Sequence, residues 1–176
     1  MFPGGNHHVF VGLDVETTGL SPGRDRIVQL GLVTAAEDLS VLWEGAVLID
    51  PGCVIPPATT SIHGISTADV KGALTFDSIA EWVAGIVATR RVIGHNLGFD
   101  LGFLEAEFGR IGRGLPEIGE RIDTLQMART QLKGYSSYAL SNVCRALGVT
   151  LERPHDACFD AICALEIYRA LVSGLG

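Results

Sequence analysis

Four acids and one histidine stand where their surroundings call for other residues. Asp14 and Glu16 end an apolar run, Val9-Phe10-Val11-Gly12-Leu13, whose β-branched and aromatic content is that of a buried strand. At i and i+2 on a strand, the two carboxylates point to one face. Side by side they repel, and they resist desolvation unless a positive charge sits between them. A strand end surfacing into a polar turn at Thr17-Thr18-Gly19 would account for these residues equally well, so the other acids must decide. Asp100 lies at the N-terminal end of a helical stripe with Phe103, Leu104, Phe108 and Ile111. There an acid also complements the helix dipole, worth about 0.3–1 kcal/mol. Asp160 shares a helix face with Ala164, Ile167 and Leu171. An unpaired inward carboxylate at that place is strongly destabilising and calls for a cation or several donors.

His155 precedes Asp160 by five residues, about 140° round a continuous helix, so the two cannot share a site if the helix runs through both. Pro154 before it and Asp156 after it, a natural N-cap, instead put His155 in the loop entering the helix. A loop histidine beside acids can act as a general base near neutral pH, although an isolated one is more often just solvated. Oxygen donors with few His or Cys favour Mg²⁺ or Mn²⁺ over Zn²⁺. A pair of such ions can activate water and stabilise the leaving oxygen in phosphodiester cleavage. Spacing alone therefore points to metal-dependent phosphoryl chemistry and leaves the direction of attack and the substrate open.

The elements that must carry these groups follow from periodicity. After the first strand, Leu20 to Asp25 is turn chemistry, and Arg26–Thr34 and Val41–Ile49 are two more strand-like runs, an antiparallel meander. Asp50 to Thr60 is expected to be a loop, and Ser66-Thr67-Ala68-Asp69 a helix start. Phe76, Ile79, Trp82, Val83, Ile86 and Val87 recur at helical spacing. Trp82 fits the core better than an interface. A short strand at 91–96, a helix at 99–112, a last short strand at Ile122-Asp123 and helices at 125–132, 134–148 and 156–173 complete the chain. The expected fold is one α/β domain over residues 9–176, a mixed sheet covered by helices, after a flexible lead-in at 1–8.

Composition bounds the rest. A mean hydropathy of +0.32 and 47% hydrophobic residues belong to a globular chain, with no apolar run of membrane-spanning length. Residues 1–8 lack the features of a signal peptide. Cys53, Cys144, Cys158 and Cys163 show no metal spacing, and a cytoplasmic location with free thiols is expected. A net charge of −7 argues against gripping long nucleic acid through many phosphates and predicts early release of substrate. It leaves room for a small pocket in which metal ions supply the positive charge.

Asp14-x-Glu16-Thr17-Thr18-Gly19-Leu20, His95-Asn96-x-x-Phe99-Asp100, Asp123-Thr124 and His155-x-x-x-x-Asp160-Ala161 occur in that order. Together they resemble the DEDDh exonucleases, most closely the proofreading ε subunits of bacterial DNA polymerase III, over about Val9 to Val172. The resemblance implies a ribonuclease-H-like fold, with an antiparallel first half of the sheet and a parallel second half. It also implies 3′→5′ hydrolysis of DNA, or of RNA, with release of nucleoside monophosphates and two divalent ions, Mg²⁺ or Mn²⁺. By the same resemblance, Asp14, Glu16 and Asp160 bind one ion, Asp14 bridges to the second, Asp100 supports the second and His155 is the base. Thr17, Thr18 and Leu20 would hold the terminal nucleotide, with His63, Asn96 and Phe99 lining its pocket. The partner is then the 3′ end of a single-stranded or frayed nucleic acid, with a polymerase or repair assembly as a protein partner. Two departures stand out. Gln29 replaces a Glu common at its place, with a minor effect expected, and the sequence stops at Gly176 without the tail that binds a polymerase. The second favours a stand-alone, repair or recycling enzyme over the main replicative proofreader. A non-catalytic binding module of the same fold and an oligoribonuclease-like enzyme are the alternatives, and oligomeric state is open.

Overall fold

The opening apolar run forms β1 (Phe10–Thr17), the central strand of a five-stranded sheet ordered β3-β2-β1-β4-β5. The structure, a computed structural model, describes residues 9–174; the lead-in at 1–8 lies outside the described residues. β2 (Ile27–Ala35) and β3 (Val41–Leu48) extend the sheet antiparallel from β1. β4 (Arg91–Gly94) and β5 (Glu120–Asp123) extend it parallel on the other side. This is the mixed sheet expected, with the change of direction at β1, the strand that carries Asp14 and Glu16.

Alternation along β1 divides the molecule into layers. Val11, Leu13 and Val15 point to one face, where they pack with α2 (Phe76–Val87) and α3 (Leu97–Arg110). Phe10 points to the other face, where it packs with α6 (Ala157–Val172). Gly12, Asp14 and Glu16 fall on that α6 face by the period of two. Two glycines let α6 come close. A Cβ on Gly12 would lie 2.9 Å from the Ala161 carbonyl oxygen, and one on Gly31 would lie 2.1 Å from the Ala157 carbonyl. Gly31 pairs directly with Asp14 across the β1–β2 ladder. The helix backbone thus rests on bare strand backbone beside the first acid, which a side chain at either place would prevent.

α4 (Thr124–Gln131) and α5 (Leu140–Leu147) pack with α6 through Ala128, Val143, Cys163 and Ile167. Trp82 meets Trp43 edge-on at 6.1 Å and packs against the core, as expected. All four cysteines are free.

Three expectations about elements need correction. Ser66 to Asp69 starts no helix, because the Asp69 carboxylate accepts from both the Ser66 N–H and its hydroxyl and closes an isolated turn. The preceding stretch, expected as loop, contains α1 (Pro57–His63), with proline at its first turn and Gly64 at φ 77° ending it. Residues 134–139, expected to open a helix, are non-helical, and α5 begins only at Leu140. There the His95 ring meets the Tyr138 carbonyl at 2.8 Å, and the Tyr138 hydroxyl donates to the Leu132 carbonyl at 2.5 Å, which fixes a loop.

Candidate active site

Asp14 and Glu16 emerge near the end of β1, where a bulge between Glu16 and Thr17 breaks the ladder with β2. Beyond the bulge the chain turns tightly. The Thr17 hydroxyl donates to the Gly19 carbonyl at 2.6 Å, and the Thr18 hydroxyl accepts from Arg26 N–H at 3.0 Å. Thr17 and Thr18 are buried by this turn, whereas Leu20 projects from it 84% exposed.

Parallel pairing of β1 with β4 ends at Gly12–Ile93, so the Val15 N–H has no strand partner on that side. Asp100, in the first turn of α3, takes it at 3.0 Å with Oδ1. Asn96 makes this possible by adopting φ 73° as the N-cap of α3, its N–H donating to Asp123 Oδ1. Asp123 also caps α4 by accepting from Leu125 and Gln126, so the Asp123-Thr124 pair joins two helix starts. His95 is clasped between the Thr124 hydroxyl and the Tyr138 carbonyl, with a pKa lowered by burial. Phe99 lies half-buried against Phe103 at 4.9 Å.

His155 sits at φ 64° in the turn before α6, exposed, and Asp156 caps the helix by accepting from Cys158 N–H. The His155 N–H donates to Asp160 Oδ2 at 3.2 Å, and Asp160 Oδ1 is buried with no partner. The left-handed turn therefore solves the 140° problem, since histidine and aspartate reach one place without lying on one helix face. Glu16, His155 and Asp160 bring their ligand atoms within 4.8 Å of one another. His63, at the end of α1, lines a cleft of about 380 Å³ with Gln29, His155 and Asp156. Burial lowers its pKa, and the nearby His155 adds to that effect.

The electrostatics are those of a site short of positive charge. Burial pushes Glu16 up to about 7, with Asp160 and Asp156 adding repulsion. Burial also lifts Asp160 to about 6, against the opposing His155 N–H and ring. Asp14 is raised well above the usual carboxylate range by burial and then by Asp100, Asp160 and Glu16. Burial raises Asp100 too, although its bond from Val15 opposes this. Asp14 feels each of the other three acids, so the structure gathers the carboxylates singled out in the sequence around it. Oxygen donors, one imidazole and an orphaned buried carboxylate oxygen fit a hard divalent cation.

Four residues that sequence reasoning undervalued hold this arrangement. Glu107, 1% exposed, binds Arg26 through both carboxylate oxygens at 2.8 and 2.9 Å and accepts from Ile27 N–H, tying α3 to the start of β2. Gln29 pairs with Glu16 across the ladder, and its Oε1 accepts from Ala157 N–H at 3.0 Å. Gly12 and Gly31 seat α6. The available signals were glycines inside apolar strands and a second acid, seven residues after Asp100, on the buried face of α3.

Known proteins match this arrangement. A 157-residue stretch is 33% identical to the 3′-5′ exonuclease DinG of Bacillus subtilis, covering 89% of this chain and 17% of that protein. Another, of 159 residues, is 31% identical to the PolC-type DNA polymerase III of Pediococcus pentosaceus, covering 90% and 11%. The zinc-bound E. coli exonuclease I–single-stranded DNA complex superposes with a TM-score of 0.83 at 18% identity over 96% of this chain and 41% of that one, a likeness of fold. The chain thus spans less than half the length of each. The family model RNase_T, described as exonuclease, matches residues 11–168, so the chain belongs to this exonuclease family, in line with the resemblance to the DEDDh exonucleases.

Proposed function

We propose that the chain hydrolyses phosphodiester bonds one at a time from the 3′ end of DNA, or of RNA, releasing nucleoside 5′-monophosphates. The observation that carries this reading is the approach of Glu16, His155 and Asp160 to one place, with an unpartnered Asp160 oxygen there and with Asp14 crowded by Asp100, Asp160 and Glu16. Asp14, Glu16 and Asp160 would hold one divalent ion, Mg²⁺ or Mn²⁺, and Asp14 and Asp100 would support a second. When bound, the ions neutralise phosphate charge and lower the pKa of the attacking water. His155, on its exposed turn, takes a proton from that water as it attacks phosphorus. The bond from phosphorus to the 3′ oxygen of the preceding nucleotide breaks, and the shortened strand keeps that oxygen. The Thr17–Gly19 turn supports the terminal nucleotide, Leu20 packs on its base, and His63, Asn96 and Phe99 bound its pocket.

The DinG and PolC-type relatives support an exonuclease role, and the zinc-bound exonuclease I neighbour supports a metal site in this fold. A polymerase or repair assembly is the protein partner this reading favours. No helix among the described residues is long and apolar enough to cross a membrane. The test uses 5′-labelled single-stranded, 3′-recessed and RNA substrates with Mg²⁺, Mn²⁺ or chelator. A descending ladder that needs metal and disappears in Asp14→Ala is expected, and the fastest substrate assigns DNA or RNA. A ladder that survives Asp14→Ala, or binding without turnover, would refute the reading.

A further inference from the structure

The chain carries 20 acidic residues among 176, yet none falls between Thr124 and Leu151. That acid-free stretch holds Arg129, Lys133 and Arg145 and forms α4, the 133–139 loop and α5. Two clefts, of about 450 and 470 Å³, open on it. They adjoin at Ser136 and Ser137, and together they make a grooved surface reaching from Asn96 and His95 to Arg145. Among the described residues no acidic side chain lines either cleft, whereas the cleft at His63 is lined by Asp69 and Asp156.

The arginines of this groove have no charged partner among the described residues, although Arg145 donates to the Asn142 Oδ1 at 3.3 Å. Arg26, Arg91, Arg110, Arg113, Arg153 and Arg169 each pair with a carboxylate. Arg129 and Arg145 are exposed and pair with no carboxylate among the described residues. Tyr135 stands 47% exposed in the groove, held in a T-shaped contact with Tyr138 at 6.2 Å. Its loop is fastened to the active-site edge, because His95, next to Asn96, grips the Tyr138 carbonyl. Cations at intervals, hydroxyl donors and an aromatic face on an otherwise acidic protein are what a single-stranded nucleic acid requires.

We propose that this groove carries the strand 5′ of the terminal nucleotide, with Arg129 and Arg145 on its phosphates and a base stacked on Tyr135. The inference rests on the reading above and deepens it by assigning the surface that holds the rest of the substrate. Continuity at Asn96 gives the strand one path from the terminal-nucleotide pocket into the groove. A protein of net charge −7 thereby keeps its hold on nucleic acid to one short track.

The test compares, in the full chain with Mn²⁺, a single strand of about twenty nucleotides with a dinucleotide, which has only one nucleotide 5′ of the terminal one and cannot fill the groove. In Arg129→Ala/Arg145→Ala the ratio of kcat/KM, long over short, is expected to fall about tenfold. The dependence of log(kcat/KM) for the long strand on log salt is expected to flatten by about 1.4, at about 0.7 per lost phosphate contact. Tyr135→Ala lowers the same ratio about fivefold through one lost stack, and Tyr135→Phe restores it. An unchanged ratio, or an equal fall on both substrates with the salt slope intact, overturns the proposal. If the wild type cleaves neither substrate, the hydrolytic reading itself has failed. Fluorescence anisotropy of the same labelled strand then decides the groove separately. Binding whose salt slope flattens in the double variant supports it, and equal binding by both proteins overturns it.

Discussion

Adding one methyl group at Gly31 should displace the catalytic end of α6. A Cβ on Gly31 would lie 2.1 Å from the Ala157 carbonyl carbon and oxygen and 2.5 Å from Cys158 N. These are backbone atoms with no rotamer by which to yield. Restoring an ordinary contact of 3.4 Å requires the first turn of α6 and β2 to separate by about 1.3 Å. That turn follows His155 and contains Asp160, whereas Asp14 faces Gly31 across the ladder, so the displacement falls directly between the acids. Overpacking of this kind costs about 1–3 kcal/mol, or a fall in Tm of about 2–12 °C in a chain this long. A displacement of about 1 Å in a reacting geometry costs about a hundredfold in rate.

Gly31→Ala is therefore expected to keep a folded far-UV spectrum, lose several degrees of Tm and lose about two orders of magnitude in kcat. Gly12→Ala should be milder, since its nearest atoms lie at 2.9 and 3.3 Å. Gly85→Ala, at an exposed position of α2 with nothing within 4 Å, should be neutral or stabilising by about 0.5–1 kcal/mol. Scanning calorimetry and single-turnover cleavage read both effects. Wild-type Tm and rate in Gly31→Ala would show that α6 does not sit on the β2 backbone, and the account of how the acids are brought together would fall.

Two further predictions follow from the charge balance and from Gln29. Folded Glu16 titrates near 7 and folded Asp160 near 6, against 4.5 and 3.8 for the free side chains. Without divalent ions, these two groups in the native state hold protons that the unfolded chain releases, so their contribution to stability is greatest below about pH 4 and falls as pH rises towards 7. Glu16 alone accounts for about 3 kcal/mol of that fall at about 1.4 kcal/mol per unit. Tm in chelator should drop between pH 5 and 7.5 and recover on adding Mn²⁺ at pH 7.5, while a flat profile unaffected by Mn²⁺ would refute the uncompensated cluster. Gln29→Leu leaves the buried Ala157 N–H without an acceptor, at about 1–3 kcal/mol, and loosens the turn bearing His155. Its kcat should fall with KM little changed and be rescued by Gln29→Glu, and a Glu variant as impaired as the Leu one would refute that positioning role.

Local chemistry made the acids legible. Asp14 and Glu16 violate a strand pattern, Asp160 violates a helix pattern, and Asp156 and Pro154 announce a helix start that leaves His155 in a turn. The strand directions also followed from short connections first and crossover helices later. What stayed hidden depended on contacts distant in sequence. Nothing within α5 says that its first turn is lost, because the competing bond comes from His95, 43 residues away. Gln29 looked like a neutral exchange until its partner, 128 residues along the chain, was in place. The glycines of β1 and β2 had meaning only against a helix that the chain adds last.

Helix α3 separates a structural buried acid from a functional one within two turns. Asp100 and Glu107 are 3% and 1% exposed. Glu107 faces the Arg26 guanidinium in a bidentate pair, with Arg110 and the Ile27 N–H beside it, so its charge is matched inside the protein. Asp100 has only backbone donors, the Val15 N–H and its own, and it feels Asp14, Glu16 and Asp123, with no ion-pair partner among the described residues. A fold able to supply an arginine at position 107 leaves position 100 unmatched, together with Asp14, Glu16 and Asp160. Burying unpaired charge is costly, so the cluster is relieved either by holding protons or by positive charge from outside. On the function proposed above, divalent ions would meet that deficit and would in turn hold a phosphate.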